Sequence, residues 1–280
     1  MDQPGSAKQR VMRACLTASL LFLLVVAGCK SAPACPLQMR SDAAKVLDDH
    51  RRQQAGWQSI KAEARVTQWG RRGRIRGTVL MFLERPSRVR FDVMTQLGPA
   101  AVLTSDGERF QLSDLREGTF LEGPTCPANI ARLVGISLDA DDVLRILTGE
   151  TPMIEATERS IECRNGLYVV TLVAADRTTQ EITLSVDRAD LDEAPERQRL
   201  TLRRSSERGP DGKMRWEATY DDYIDVEGWS FPTSVRFVDQ VNDADTSVRV
   251  KSISLNPDVP DEAFRQEPGP GMATEFAPCS

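Results

Sequence analysis

Ser59-Ile60-Lys61-Ala62-Glu63-Ala64-Arg65-Val66-Thr67 is the stretch on which the fold turns. Ile60, Ala62, Ala64 and Val66 alternate with Lys61, Glu63, Arg65 and Thr67, and a period of two gives an extended strand one apolar and one polar face. Just upstream the period is helical: Ala43, Ala44, Val46 and Leu47 share one side of Asp42–Gly56, which predicts an amphipathic helix. Downstream the two-residue period persists. Ile75, Gly77, Val79, Met81 and Leu83 share a face, Val89, Phe91 and Val93 follow, and short strands continue at 101–104, 110–112 and 119–121 around Asp106-Gly107 and Glu117-Gly118 turns.

Residues 125–149 interrupt this meander with helical spacing. Pro127 suits a first turn, Ile130, Leu133 and Val134 fall on one side, and Gly135 ends the segment. Asp139, Asp141 and Asp142 then favour a second helix start, complementing its dipole, ahead of Val143, Leu144, Ile146, Leu147 and a closing Gly149. Strands resume at 160–163, 167–173, 181–187, 199–204, 214–223, 231–238 and 247–255, broken by an acidic loop at 187–198. Antiparallel strands with one apolar face must cover that face. The expectation is a mainly β chain: an unclosed antiparallel β-barrel of about 11 to 13 strands, with an N-terminal helix and a helical-hairpin lid. Alternation alone leaves open whether its interior is filled or hollow.

Composition narrows the function classes. The chain has 280 residues, 40% of them hydrophobic, within the ordinary globular range. Thirty-six basic against 41 acidic residues, net −5, argue against a protein that binds by neutralising phosphates, so nucleic acid is excluded as a partner. His50 is the sole histidine, which removes two-histidine metal sites and most histidine-based catalysis. No nucleophile elbow, phosphate loop or dinucleotide fingerprint is present, and the expectation is neither enzyme nor metal nor cofactor protein. Asp239, Asn242, Asp243 and Asp245 lack the glycine and distal glutamate of a calcium loop and read as a polar turn. Asp221, Asp222 and Asp225 read as a solvated face, and Arg71-Arg72-Gly73-Arg74-Ile75-Arg76 as a solvated basic hairpin, with contact to anionic head groups the alternative.

The N-terminus carries an address. Lys8, Arg10 and Arg13 precede the apolar run Leu16–Ala27, which at twelve residues falls short of the roughly 20 needed to span a bilayer. It leads into Val26-Ala27-Gly28-Cys29, which resembles a bacterial lipobox and implies that the Cys29 thiol is diacylated before cleavage. Residues 1–28 are thus expected to be a lipoprotein signal peptide, 29–40 a lipidated tether and 41–280 a single domain. Acyl chains at Cys29 anchor without a transmembrane helix, each buried methylene contributing about 0.8 kcal/mol. Cys35, Cys126, Cys163 and Cys279 then remain as an even four in an oxidising compartment, where two disulfides are expected. Four cysteines allow three pairings; the favoured one joins Cys126 to Cys163 and Cys35 to Cys279.

The lipobox, first helix, strand run and central helical pair together resemble the LolA/LolB superfamily of periplasmic lipoprotein carriers, most of all the LolB-type outer-membrane lipoprotein receptors. Arg88-Val89-Arg90-Phe91-Asp92-Val93 resembles the family's arginine-bearing strand, and Gln96-Leu97-Gly98 its Pro-Leu-Gly hairpin. Residues 129–135 and 143–149 resemble its helical lid, and Pro260-Asp261-Glu262-Ala263-Phe264 its closing helical turn. The resemblance implies an apolar cavity that receives acyl chains of lipoproteins, or lipid, from a soluble periplasmic carrier and releases them to the outer membrane. It implies location on the periplasmic face of that membrane, consistent with Lys30 rather than aspartate after Cys29. It further implies that Leu97 enters the membrane, although Gln96 replaces the usual proline. From alternation, Val79, Met81, Leu83, Phe91, Val93, Ile130, Leu133, Leu144 and Leu147 are the candidate lipid-cavity residues, and Arg90 is a candidate tether for the lid. The competing expectation is a structural or interaction lipoprotein of an envelope complex, with a filled barrel that binds nothing.

Overall fold

A computed structural model describes residues 34–70 and 73–279. The expected signal peptide, the lipidation site Cys29 and Lys30 lie outside the described residues, as do Arg71 and Arg72. Cys35–Ser280 forms one compact unit. The strands are β1 (Ser59–Gly70), β2 (Gly73–Glu84), β3 (Arg88–Thr95), β4 (Gly98–Ser105), β5 (Arg109–Asp114), β6 (Thr119–Pro124), β7 (Ala156–Arg164), β8 (Leu167–Ala174), β9 (Thr179–Val186), β10 (Leu200–Arg208), β11 (Met214–Val226), β12 (Trp229–Asp239), β13 (Ala244–Leu255) and β14 (Ala273–Phe276). The helices are α1 (Ala43–Gln54), α2 (Pro127–Val134) and α3 (Ala140–Thr148).

All fourteen strands belong to one sheet, in the order β14-β6-β5-β4-β3-β2-β1-β13-β12-β11-β10-β9-β8-β7. Two antiparallel meanders, β1–β6 and β7–β13, join where β1 pairs with β13. β7 and β14 form the margins and do not pair with each other, so the barrel is unclosed. The strand beyond the expected range is β14, four exposed residues without alternation, held in parallel register on β6 from Ala273↔Thr119 to Phe276↔Glu122. Its formation depends on a distant partner rather than on a local pattern.

The register turns alternation into a core. Ala62, Met81, Phe91, Leu103 and Leu112 stand side by side across β1 to β5, all on one face and all buried. The sheet wraps this face around the three helices, whose buried apolar residues join the same core. Asp42 starts α1 by accepting a hydrogen bond from the Lys45 backbone N–H at 3.0 Å. Pro127 opens α2 and Asp141 and Asp142 lie in the first turn of α3. Gly135 ends α2 at φ 66°, where a Cβ would lie 2.1 Å from the Gln68 side chain; Gly149 ends α3 at φ 83°, with Pro232 2.9 Å from the corresponding position. At both turns the left-handed backbone and the close approach to a strand require glycine.

The favoured disulfide pairing is wrong. Cys35 is bonded to Cys163 and Cys126 to Cys279, across sequence separations of 128 and 153. Cys163 sits on β7, whereas Cys126 caps α2 just beyond β6, so the two cysteines of the expected bond belong to opposite margins of the sheet. Each real bond staples one margin: Cys35–Cys163 fixes β7, and Cys126–Cys279 fixes the segment after β14 to the start of α2.

The first disulfide also shortens the expected tether. Residues 35–40 are fixed to the barrel rather than free. The Leu37 N–H donates to Leu191 O at 3.1 Å, and the Arg40 N–H donates to Tyr168 Oη at 2.9 Å. The Arg40 guanidinium donates to Gln198 O at 3.1 Å and pairs with Asp49. The acidic loop expected at 187–198 is two short 3-10 turns, and Gln198, fully buried, donates to Gln38 O at 2.9 Å and Glu193 O at 3.1 Å.

Candidate functional site: an apolar cleft under the helical pair

α2 and α3 cover the face of the sheet formed by β1, β2, β3 and β13. Between them and the strands is a cleft lined by Val66, Val79, Met81, Phe91, Val93, Leu133, Val134, Ile136, Leu147, Thr246 and Val248. Thr246 is the sole polar lining residue; its hydroxyl donates to Val134 O and Gly135 O, both at 3.3 Å. With that hydroxyl engaged, the cleft offers a ligand no free polar side-chain partner, which suits hydrocarbon. In this state it encloses about 20 Å³, room for one water-sized sphere. The cleft as it stands is thus too small for an acyl chain, and any chain longer than a few carbons requires the helical pair to move.

The helices differ in how they are held. α3 is amphipathic, with Val143, Leu144, Ile146 and Leu147 buried. α2 buries Asn129 and Ile130, while Leu133 and Val134, at its far end and over the cleft, are half-buried. Its near end is fixed by Cys126–Cys279 and by the Asn129 amide, which donates to Pro124 O and Ala277 O, both at 3.0 Å. α2 is thus clamped at its N-terminus by a disulfide and a side-chain amide, and held at its half-buried C-terminus by the Thr246 hydroxyl.

Six of the nine residues chosen by alternation line the cleft: Val79, Met81, Phe91, Val93, Leu133 and Leu147. Leu83, Ile130 and Leu144 are buried in the core away from it. Val66, Val134, Ile136, Thr246 and Val248 were missed. Val134 was read as part of the helix but not of the cavity, Ile136 follows the terminating glycine and so falls outside the helical period, and Val66, Thr246 and Val248 gain their place through the long-range β1–β13 pairing. The alternation on β1 carried a signal for Val66; no local signal marks the pairing itself.

Arg90 does not tether the lid. It lies on the outer face of β3, donating to Asp92 Oδ1 at 2.8 Å and to Ala263 O at 2.9 Å, and so ties the sheet to the 3-10 turn Asp261–Phe264. The period of two dictates this: Arg90 must face opposite to Val89 and Phe91, which are buried against the helices. Leu97 is at the tip of the β3–β4 hairpin, 100% exposed, its turn held by the Thr95 hydroxyl, which donates to Gly98 O at 2.7 Å.

α3 is anchored instead through Glu150, which follows it. This buried carboxylate pairs with Arg85 from the end of β2 and with Arg145 at 3.3 Å, and the Tyr220 hydroxyl donates to its backbone carbonyl at 3.1 Å. The Arg85 guanidinium stacks on Trp57 at 4.1 Å, Trp57 meets Trp229 at 5.9 Å, and Trp229 meets Phe231 at 5.0 Å. The Trp229 indole N–H donates to Gln54 of α1. His50 Nε2–H donates to Gly149 O at 3.2 Å, and burial holds the imidazole down to about 4. On the first turn of α3, burial and then Asp141 push Asp142 up to about 6.

Other candidates resolve into structure. Asp239 accepts from the Val241 and Asn242 N–H groups at 3.0 and 2.9 Å, and Asp245 pairs with Arg236, so this polar turn stabilises itself. Among the described residues no group of three histidine, cysteine or acidic side chains is arranged to hold a metal. A larger surface groove, about 770 Å³, is lined by Arg188, Arg199, Arg203, Asp187 and Asp225 among others; its volume is greater, but its chemistry is not that of a hydrocarbon site.

An unclosed antiparallel barrel wrapped around a helical pair is a LolA-like fold. No protein-family model matches the chain and no curated protein matches its sequence. Solved structures do. A LolA superfamily protein from Nitrosomonas europaea superposes with a TM-score of 0.51 at 10% identity, covering 80% of this chain and 97% of that one. A DUF1329 family protein from Desulfovibrio piger gives 0.53 at 10% identity, covering 81% and 98%. At such identities the likeness is one of fold.

Proposed function

We propose that this protein is a lipid-anchored carrier or receptor that takes acyl chains into the cleft beneath α2 and α3. The observation that supports it most is the cleft's lining, apolar at ten of eleven residues and roofed by the half-buried end of α2. Anchored through Cys29 at the periplasmic face of the outer membrane, it accepts acylated lipoproteins, or lipid, from a soluble periplasmic carrier and passes them to the bilayer. Such transfer requires no covalent catalysis: the cleft stabilises hydrocarbon relative to water, and a bilayer stabilises it further. Leu97, exposed at a hairpin tip, is then one contact with the receiving membrane.

The second reading, a filled scaffold within an envelope complex, is favoured by one observation, the 20 Å³ volume of the closed cleft. Native mass spectrometry of the protein isolated without detergent, followed by incubation with a fluorescent diacylated peptide, separates the two. The carrier reading expects retained or acquired acyl mass, reduced at least about tenfold by Val93→Trp, which fills the cleft, with the thermal midpoint measured alongside to register overpacking. A wild-type protein that neither retains lipid nor takes up the peptide leaves the scaffold.

A further inference from the structure

Four neighbouring hairpins of the sheet, β5–β6, β3–β4, β1–β2 and β12–β13, turn at the same end of the barrel. Each presents a large apolar side chain to solvent at or beside its turn: Leu115 (48% exposed), Leu97, Ile75 (57%) with Trp69, and Val241 (66%). Half of the exposed large hydrophobic residues of the described chain fall on this one rim. Adjacent strands lie about 4.8 Å apart, so successive turns stand about 10 Å from one another, and the apolar side chains form a spaced row rather than a continuous patch. The row is basic on its β1–β2 hairpin, where Arg74 and Arg76 are exposed and the Arg74 guanidinium lies 5.4 Å from the Trp69 ring centre. The neighbouring β12–β13 turn is acidic, with Asp239, Asp243 and Asp245, so the net positive charge is confined to the β1–β2 hairpin.

We infer that this rim is a bilayer-docking surface, in which Ile75, Trp69, Val241 and Leu115 enter the interface together with Leu97 while Arg74 and Arg76 meet anionic head groups. Single apolar side chains separated by polar turn residues such as Asp243 and Glu117 suit interfacial insertion, where each anchor is surrounded by head groups. A protein partner of comparable affinity buries a contiguous apolar centre, which this rim does not have. Tryptophan beside arginine fits the boundary between hydrocarbon and head group. The rim also communicates with the cleft. Ile75 continues the row Gly77, Val79, Met81 and Leu83 on the core face of β2, and its paired neighbour Gln68 meets Gly135 at the end of α2. The inference does not depend on the cleft binding acyl chains.

Vesicle flotation tests it, using Cys35–Ser280, the compact unit that holds the whole sheet and both disulfides, so that no acyl anchor contributes. The probes are phosphatidylcholine vesicles with and without phosphatidylglycerol. Binding is expected to both, stronger to the anionic vesicles. Ile75→Glu and Val241→Glu should each weaken it about tenfold on both vesicles. Arg74→Gln and Arg76→Gln should each weaken it about fivefold on the anionic vesicles alone. Ile224→Glu, an exposed apolar residue on the opposite end of the barrel, should leave it unchanged. Absence of binding to either vesicle, or equal losses for Ile224→Glu and Ile75→Glu, overturns the inference whatever the cleft is found to carry.

Discussion

The two ends of this barrel are built on opposite principles. At one end Trp57, Trp229, Phe231, Gln54, His50, Arg85 and Glu150 interlock α1, α3 and the strand ends through stacked rings, a buried ion pair and hydrogen bonds to helix carbonyls. At the other end α2 finishes in half-buried Leu133 and Val134, the cleft lies beneath, and the hairpin tips expose apolar side chains. Buried polar networks have steep costs when broken, whereas half-buried aliphatic contacts separate cheaply. The comparison shows which end is held less firmly: the hairpin-tip end, where α2 finishes over the cleft.

The sharpest way to break that contrast is at the interlocked end. Trp229→Ala removes a buried ring from between Trp57 and Phe231 and leaves Gln54 without its partner, so a loss of about 4 kcal/mol is expected in chemical denaturation. Leu133→Ala over the cleft should lose less than half of that. Equal losses would remove the distinction between the ends.

Acid provides the next largest effect, again at the interlocked end. His50 is neutral when folded down to about pH 4, whereas its unfolded pKa is 6.5. The unfolded chain therefore binds the proton first, and His50's contribution is complete above pH 6.5 and lost as pH falls toward 4. The loss is on the order of 3 kcal/mol. His50→Gln should flatten this part of the stability profile; an unchanged slope between pH 6.5 and 4 would refute the assignment.

The smallest effect belongs to the first turn of α3. Asp142 is raised to about 6 by burial and Asp141, with Asp139 and Glu207 also raising it and Arg145 opposing. Its folded pKa exceeds its unfolded value of 3.8, so ionisation costs the folded state stability as pH rises through 6. Asp142→Asn should accordingly raise the thermal midpoint slightly at pH 7.5 and leave it unchanged at pH 3.5. A stabilisation of the same size at both values would mean that charge is not the cause. Amide exchange in α2 and α3 should also slow in this variant at pH 7.5.

Alternation in β1, β2 and β3 made the strands and their inward faces legible, and with them Val79, Met81, Phe91 and Val93. The glycines after α2 and α3 were equally readable, because helix termination is a local event governed by backbone conformation. Arg90 shows the limit of pattern reading. Its alternation already placed it on the face away from the helices, yet its hydrogen-bonding capacity suggested a tether; the face decided the matter. The Trp57–Trp229–Arg85–Glu150 assembly was invisible, since its members come from loops and strand ends with no shared period.

The sequence by itself determined a mainly β chain with three helices, an even set of four cysteines in the domain and an apolar face on nearly every strand, because these follow from local periodicity and composition. Only the tertiary structure decided which cysteines pair, which apolar residues line the cleft and which hairpins share a rim. Those outcomes depend on the β1–β13 pairing and on the position of the sheet margins, contacts between residues more than a hundred positions apart for which a local pattern carries no information.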